Sequence, residues 1–203
     1  MKEIITHRFL PPGYNRQLCR PSGLSTEPEY VFTKHFDDFP APVSMRPLYS
    51  DKDISIVEKW IGNVESNEEN RPLLAAMQSF IAQSDCAQSF MMLVNGEPYC
   101  QADVVHAPQE EISIYLDVKD DDYVLQLLPE SRLLKQPALN IAVLKSCLEY
   151  FSGFSEVGQL FVRTEPDNQL MQDLFVKAGF TFLCNADTGA EIVALYHFLV
   201  RKD

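Results

Sequence analysis

Glycine is missing from one long stretch of this chain: it has 8 glycines in 203 residues, and none lies between 97 and 152. A glycine-rich phosphate cradle is therefore excluded from that stretch, because only glycine lets a backbone with positive φ approach phosphate oxygens closely. The five cysteines, at 19, 86, 100, 147 and 184, include no C-x-x-C pair. Neither a zinc ribbon nor a disulfide framework is suggested, and a reduced, cytoplasmic compartment fits best. No apolar run approaches ~18 residues, and residues 1–10 hold no apolar core with a small-residue cleavage site. Membrane spanning and secretion are both expected to be absent. Basic residues are scarce as well, 17 Lys and Arg against 29 Asp and Glu, a formal net charge of −12. Such a chain lacks the clustered cations that nucleic acid or an anionic membrane surface requires.

What is present reads as a folded protein. A hydrophobic fraction of 46% with 11% aromatics is globular rather than disordered. The length suits one well-packed domain with an N-terminal extension. The boundary is expected at residue 42, leaving 1–42 as an irregular segment packed on a domain of residues 43–203. Pro11-Pro12-Gly13, Pro21-Ser22-Gly23, Pro28, Pro40 and Pro42 interrupt every short apolar stretch of that segment. Tyr30-Val31-Phe32 is its best strand.

From Val43 the pattern becomes organised. Val43 to Leu48 alternates as a strand, Asp51 or Asp53 can cap a helix, and Ile54, Val57, Trp60 and Ile61 lie on one face of it. Trp60 reads first as a core anchor. Leu73, Leu74, Met77, Phe80 and Ile81 predict a second amphipathic helix over 72–83. Ser89 to Asn95, the turn Asn95-Gly96 and Glu97 to His106 predict a β-hairpin, since Asn-Gly takes the positive φ angles of a type I′ turn. Ile112 to Val118 alternates again and predicts a strand, while Leu139 to Phe151 has helical spacing.

The C-terminal quarter is the densest in signals. Leu160-Phe161-Val162 is β-prone, Pro166 and Asp167 break it, and Leu170, Met171, Leu174, Phe175 and Ala178 form the apolar face of a short helix. Asp167 is a credible N-cap and Gly179 sits where a left-handed C-cap belongs. Phe180 to Cys184 predicts the next strand, and Glu191 to Val200 the last.

Asn168, Leu174, Phe175, Lys177, Gly179 and Phe180 resemble in spacing the C-terminal motif of the GNAT N-acetyltransferases, roughly N-x-x-A-x-x-L-Y-x-K-x-G-F, with Met171 in place of the small residue. The Val94-Asn95-Gly96-Glu97-Pro98-Tyr99 hairpin resembles the paired central strands of that family, while the strand carrying Arg46-Pro47, the acidic-capped helix ending in Trp60 and Pro129-Glu130-Ser131-Arg132 are similar to its siderophore-precursor subgroup. The resemblance spans about 43 to 200. It implies an α/β fold with a mixed, mostly antiparallel central sheet flanked by helices. It also implies transfer of an acetyl or other acyl group from acyl-CoA to a small-molecule amine, which the negative charge of the chain favours. A homodimer is compatible with it.

The resemblance makes the predicted strand 112–118 the fourth strand, whose backbone faces the thioester, so that Leu116 and Val118 would contact the cofactor. An active family member has R/Q-x-x-G-x-G/A after that strand, holding pyrophosphate at a helix N-terminus. This chain offers Lys119-Asp120-Asp121-Asp122 instead, which puts negative charge near the expected phosphate position, with Arg132 and Lys135 as the cations that would contact phosphate. Asn168 and Phe175 complete the implied cofactor contacts. Phe175 stands where the family often has a Tyr that protonates the departing thiolate, and Phe cannot give a proton.

Tyr115, or Ser113 on a shifted register, occupies the place of the subgroup's usual His. Tyr115, Asp117 and His106 are accordingly the catalytic candidates, with Glu111, Asp167 and Asp103 as further bases. Several have plain structural readings too: Asp117 as a strand-end cap, His106 as a hairpin-end residue, Asp167 as the helix cap. Cys100 and Cys147 have no adjacent His and read as core thiols. Two further functions stay open, a GNAT-fold protein that has lost turnover and binds a ligand or partner, and an unrelated α/β binding domain. No metal site is expected.

Overall fold

A computed structural model gives the fold and describes residues 30–37, 39–48, 53, 55–57, 59–60, 86–128, 136–188 and 191–200. Eight strands form one sheet in the order β1-β2-β3-β4-β5-β6-β8-β7. They are β1 (Phe32–Phe36), β2 (Phe39–Pro47), β3 (Ala87–Val94), β4 (Glu97–His106), β5 (Asp122–Leu128), β6 (Gln159–Thr164), β7 (Thr181–Asp187) and β8 (Ile192–Leu199). Every neighbouring pair is antiparallel except β5 and β6, so the sheet is mixed and mostly antiparallel, as expected.

The proline-rich entry belongs to the sheet. β2 runs through residues 42 and 43, and Pro40 and Pro42 lie beside an irregularity in its pairing with β1, between Lys34 and Phe36. Proline is tolerated there because a bulge removes the demand for a ladder donor. At the β3–β4 turn Asn95 and Gly96 have φ of 51° and 81°, the geometry the Asn-Gly pair predicts.

Helix α1 (Pro137–Ser152) and helix α2 (Gln169–Ala178) cover one face. Cys100, Ala102 and Val104 of β4, Tyr123, Leu125 and Leu127 of β5, and Leu160 and Val162 of β6 meet Val143, Leu144, Cys147 and Phe151 of α1 in the main core. On the opposite face, residues 53, 55–57, 59 and 60 are helical, and Val57 and Trp60 pack on Met91 and Leu93. Trp60 is thus a core anchor on that side. The helix predicted over 72–83 lies outside the described residues, as do residues 1–29.

Two expectations are corrected by the topology. The alternating stretch 112–118 is not a strand: residues Glu111–Ile114 form a 3-10 turn, and Tyr115, Leu116, Asp117 and Val118 continue irregularly. Its alternation comes from a segment laid flat on the sheet, with Ile112 buried against Val124 and Phe161 while Ile114 is 73% exposed. The fourth strand of the expected order is instead β5. Nor do the aspartates stand near the strand's exit. Asp122 opens β5, roughly 20 Å along seven residues from Leu128 at the strand's end.

The cap of α2 shifts by one residue. Asn168, not Asp167, is the N-cap, its Oδ1 accepting from the Met171 amide at 3.2 Å. Gly179 closes the helix at φ 117°, a conformation that disfavours any side chain. Among the described residues no helix is long and apolar enough to cross a membrane.

Candidate functional site

Parallel strands β5 and β6 pair only at their beginnings. Asp122, Tyr123 and Val124 are in register with Gln159, Leu160 and Phe161, and the ladder ends there. The opening of the pair is fastened by the Gly158 amide donating to the Asp121 carbonyl at 2.7 Å. A Cβ on Gly158 would stand 2.6 Å from Asp121 Oδ2, so a side chain there would require the Asp121 carboxylate to move aside. Past Val124 the two strands diverge. Leu125–Leu128 stay bound to β4, while Val162–Thr164 stay bound to β8.

The divergence leaves a cavity of about 180 Å³ lined by Leu125, Gln126, Leu127, Leu128, Val162, Arg163, Met171 and Phe175. Its walls come from both sides of the sheet. Leu125, Leu127, Val162, Met171 and Phe175 belong to the core on the α1/α2 side, whereas Gln126 and Arg163 alternate with them toward the other face. The groove is therefore a slit through the sheet, apolar toward one face and polar toward the other. Strand backbone from Leu125 onward has no ladder partner on its β6 side among the described residues, so its polar groups are available to an extended ligand.

Sequence-predicted residues fall in three places. Phe175 lines the slit, buried, with its ring centroid 5.5 Å from that of Tyr196 and 5.9 Å from that of Phe180. Asn168 caps the helix that carries Phe175 and Met171, and so sets where they stand. Arg132 and Lys135 lie outside the described residues, in the segment between β5 and α1.

Tyr115, Leu116 and Val118 pack around Ala107, Ile112, Val124 and Phe161, on the face away from α1. There the Tyr115 hydroxyl donates to Glu111 Oε1 at 3.0 Å, and Arg163 Nη1 meets Glu111 Oε2 at 3.2 Å. Tyr115 is held above its ordinary pKa, first by loss of hydration and then by the Glu111 carboxylate. This turn thus reaches the slit through Arg163. Leu116 and Val118 offer no strand backbone to it; that role falls to β5. Asp117 is exposed. His106 ends β4 opposite Tyr123, with Nε2 at 2.8 Å from the Asp120 carbonyl oxygen, beside the closed end of the β5–β6 pair.

Asp103, a further base by sequence, has the most unusual surroundings. Buried in β4, its Oδ1 accepts from Ser89 Oγ and from Gln101 Nε2, the latter at 2.7 Å. Burial pushes its carboxyl from 3.8 up to about 6, against the lowering effect of those two donors. Directly across the ladder is Gln126, which lines the slit.

Apart from Phe175, sequence reasoning missed the residues that line the slit, Gln126 and Arg163 among them. A signal was present: Tyr123 to Leu128 is β-prone and runs straight into Pro129-Glu130-Ser131-Arg132, the segment expected after the fourth strand. The alternation of 112–118 was the stronger pattern by period alone. Among the described residues no group of three or more His, Cys, Asp or Glu side chains could hold a metal.

No family model and no curated protein sequence matches the chain. Solved structures do. An uncharacterized Bacillus halodurans protein, bh2621, superposes with a TM-score of 0.69 at 19% identity over 85% of this chain and 90% of its own. The aminoglycoside acetyltransferase AAC(6')-Ib in complex with coenzyme A gives 0.62 at 20% identity over 77% and 94%. Mycobacterium smegmatis RimJ in complex with CoA-disulfide gives 0.60 at 11% identity over 85% and 88%. A Streptococcus pneumoniae acetyltransferase of the GNAT family is also similar, at a TM-score of 0.56 and 16% identity. At these identities the likeness shows the fold: the chain has the GNAT fold.

Proposed function

We propose that this protein is an N-acyltransferase that moves an acetyl or other acyl group from acyl-CoA to a small amine. The observation that carries this reading is the slit where β5 and β6 part, lined by residues of both sheet faces and backed by β5 backbone that has no ladder partner on its β6 side among the described residues. A thioester laid along β5 would have its carbonyl polarised by a strand N–H, and an amine could reach it from the polar side, near Gln126 and Arg163. Structural neighbours crystallised with coenzyme A or CoA-disulfide support the same reading by analogy of fold.

In this reading Arg132 and Lys135 contact the cofactor phosphates, Asn168 and Phe175 position the wall beside the pantetheine arm, and Tyr115 and Asp117 belong to the acceptor side with Glu111. His106 contributes at the closed end of the β5–β6 pair. The acceptor is cationic before reaction, as the net charge of −12 favours. Siderophore precursors are the acceptor class the sequence resemblance implies, and a homodimer in the cytoplasm is compatible with it.

One observation favours a second reading, a fold kept for ligand or partner binding without turnover. The segment that would hold pyrophosphate lacks glycine altogether, and Phe175 cannot donate a proton. Calorimetric titration of acetyl-CoA into the protein separates the two. Micromolar binding, weakened by Arg132→Ala and accompanied by acetylation of members of an amine library, supports the enzyme. No heat, and no thermal shift at a ligand excess where a micromolar site adds ~4 kcal/mol of stability, leaves the binding module.

A further inference from the structure

We infer that Asp103, held by Ser89 and Gln101, is the base that takes the proton from the acceptor's ammonium group, and that the acceptor nitrogen enters the slit from the face opposite α1 and α2. The inference rests on the acyltransferase reading and deepens it.

A carboxylate buried to 2% exposure ordinarily has a cation beside it, because an unpaired buried charge is costly. Two cations of this face among the described residues are engaged elsewhere. Arg46 forms a two-pronged pair with Asp53, at 2.6 and 2.8 Å, and Arg163 pairs with Glu111. Asp103 has only neutral donors among the described residues, and both of them reach Oδ1. Gln101 Nε2 also lies 3.3 Å from Ser89 Oγ, which closes a small triangle around that oxygen. Oδ2 receives no hydrogen bond from the described residues, so one oxygen is fixed and the other is left to accept a proton.

Position connects this group to the slit. Asp103 and Gln126 are register partners on an antiparallel pair, and such side chains share a face with Cβ atoms about 4.5–5.5 Å apart. Gln126 lines the slit where the strands part. Neither paired cation contributes to the raised pKa; burial alone drives it, to about 6, close to where a general base works best.

In the transfer step the ammonium N–H bond breaks and its proton passes to Asp103 Oδ2, freeing the nitrogen lone pair. That pair attacks the thioester carbonyl carbon, the C–N bond forms, the C–S bond breaks, and the thiolate leaves with the second nitrogen proton. Asp103 then releases its proton to solvent.

The test uses the full chain, acetyl-CoA and two probe amines: n-butylamine, an ammonium ion at neutral pH, and methoxyamine, whose nitrogen is already unprotonated there. For the unaltered protein, kcat/KM for n-butylamine should fall on an acid limb near pH 6. Asp103→Asn should abolish that limb and lower n-butylamine transfer by about 10²–10⁴-fold, while leaving acetyl-CoA affinity and methoxyamine transfer close to their original values. Ser89→Ala, which removes a donor to the charged form, should move the limb to higher pH; it decides the matter should Asp103→Asn fail to fold. Equal losses for both amines, or an unmoved limb in both variants, overturn the inference. Binding of acetyl-CoA without transfer to either amine overturns it also and leaves a binding protein. Absence of acetyl-CoA binding removes the acyltransferase reading itself.

Discussion

Val124 and Phe161 are the last residues that β5 and β6 hold in register, and both are buried in a cluster closed by Ile112 of the turn after β4. That cluster clamps the parallel pair at one end, so the strands can part at the other. The slit exists because pairing is strong through three residues and then stops.

Filling the slit tests its role directly. Gln126→Trp places a large ring in a cavity of about 180 Å³ from a half-buried position. Acetyl-CoA affinity should drop by at least about tenfold, or ~1.4 kcal/mol, with the thermal midpoint nearly unchanged, read by calorimetry beside a melting curve. Undiminished affinity would place the acyl-CoA elsewhere.

Arg46 of β2 pairs with Asp53, one of the helical residues 53, 55–57, 59 and 60, and both are buried. Removing Asp53 takes both carboxylate bonds from a buried guanidinium, so Asp53→Ala should cost about 3–5 kcal/mol in urea unfolding. Arg46→Met with Asp53→Leu should cost much less than the single change. Equal costs would mean that the pair is not what fastens the helix.

Both ends of α2 are set locally. Asn168→Ala should lose about 1 kcal/mol through the cap, and Gly179→Ala about 1–2 kcal/mol through the φ of 117°. Because Met171 and Phe175 line the slit, loss of the cap should also weaken acetyl-CoA binding, whereas the change at Gly179 acts on stability first. Denaturant midpoints and ligand titrations separate the two effects.

Asp103 gives stability a pH dependence of definite sign. Its carboxyl sits near 3.8 when unfolded and about 6 when folded. Below 3.8 the carboxyl is protonated in both states and the penalty is absent; as pH rises through 6 the folded protein must bury the charge. The full penalty, roughly 3 kcal/mol, is present above that. The stability gained by Asp103→Asn should therefore grow between pH 4 and pH 7 and level off above. A difference constant across that range, measured by denaturant unfolding at several pH values, would show that Asp103 is not shifted.

Much of this fold is local, and so was legible in the chain. Asn95-Gly96 dictates its hairpin through the φ angles that only such residues take cheaply, and the spacing Leu170, Met171, Leu174, Phe175, Ala178 dictates α2 and its buried face. The scarcity of basic residues and the missing glycines are properties of the sequence that no folding can alter. Tertiary structure alone decided which of two β-prone stretches became the fourth strand. Residues 112–118 and 123–128 both satisfy strand chemistry, but only the second lies where β4 can pair along its length and β6 at its start, while the first gains more by burying Ile112 across them. The same holds for Asp103: its residue type is common, and its raised pKa comes from burial beside Ser89 and Gln101, a condition that exists only once β3 and β4 are paired and covered.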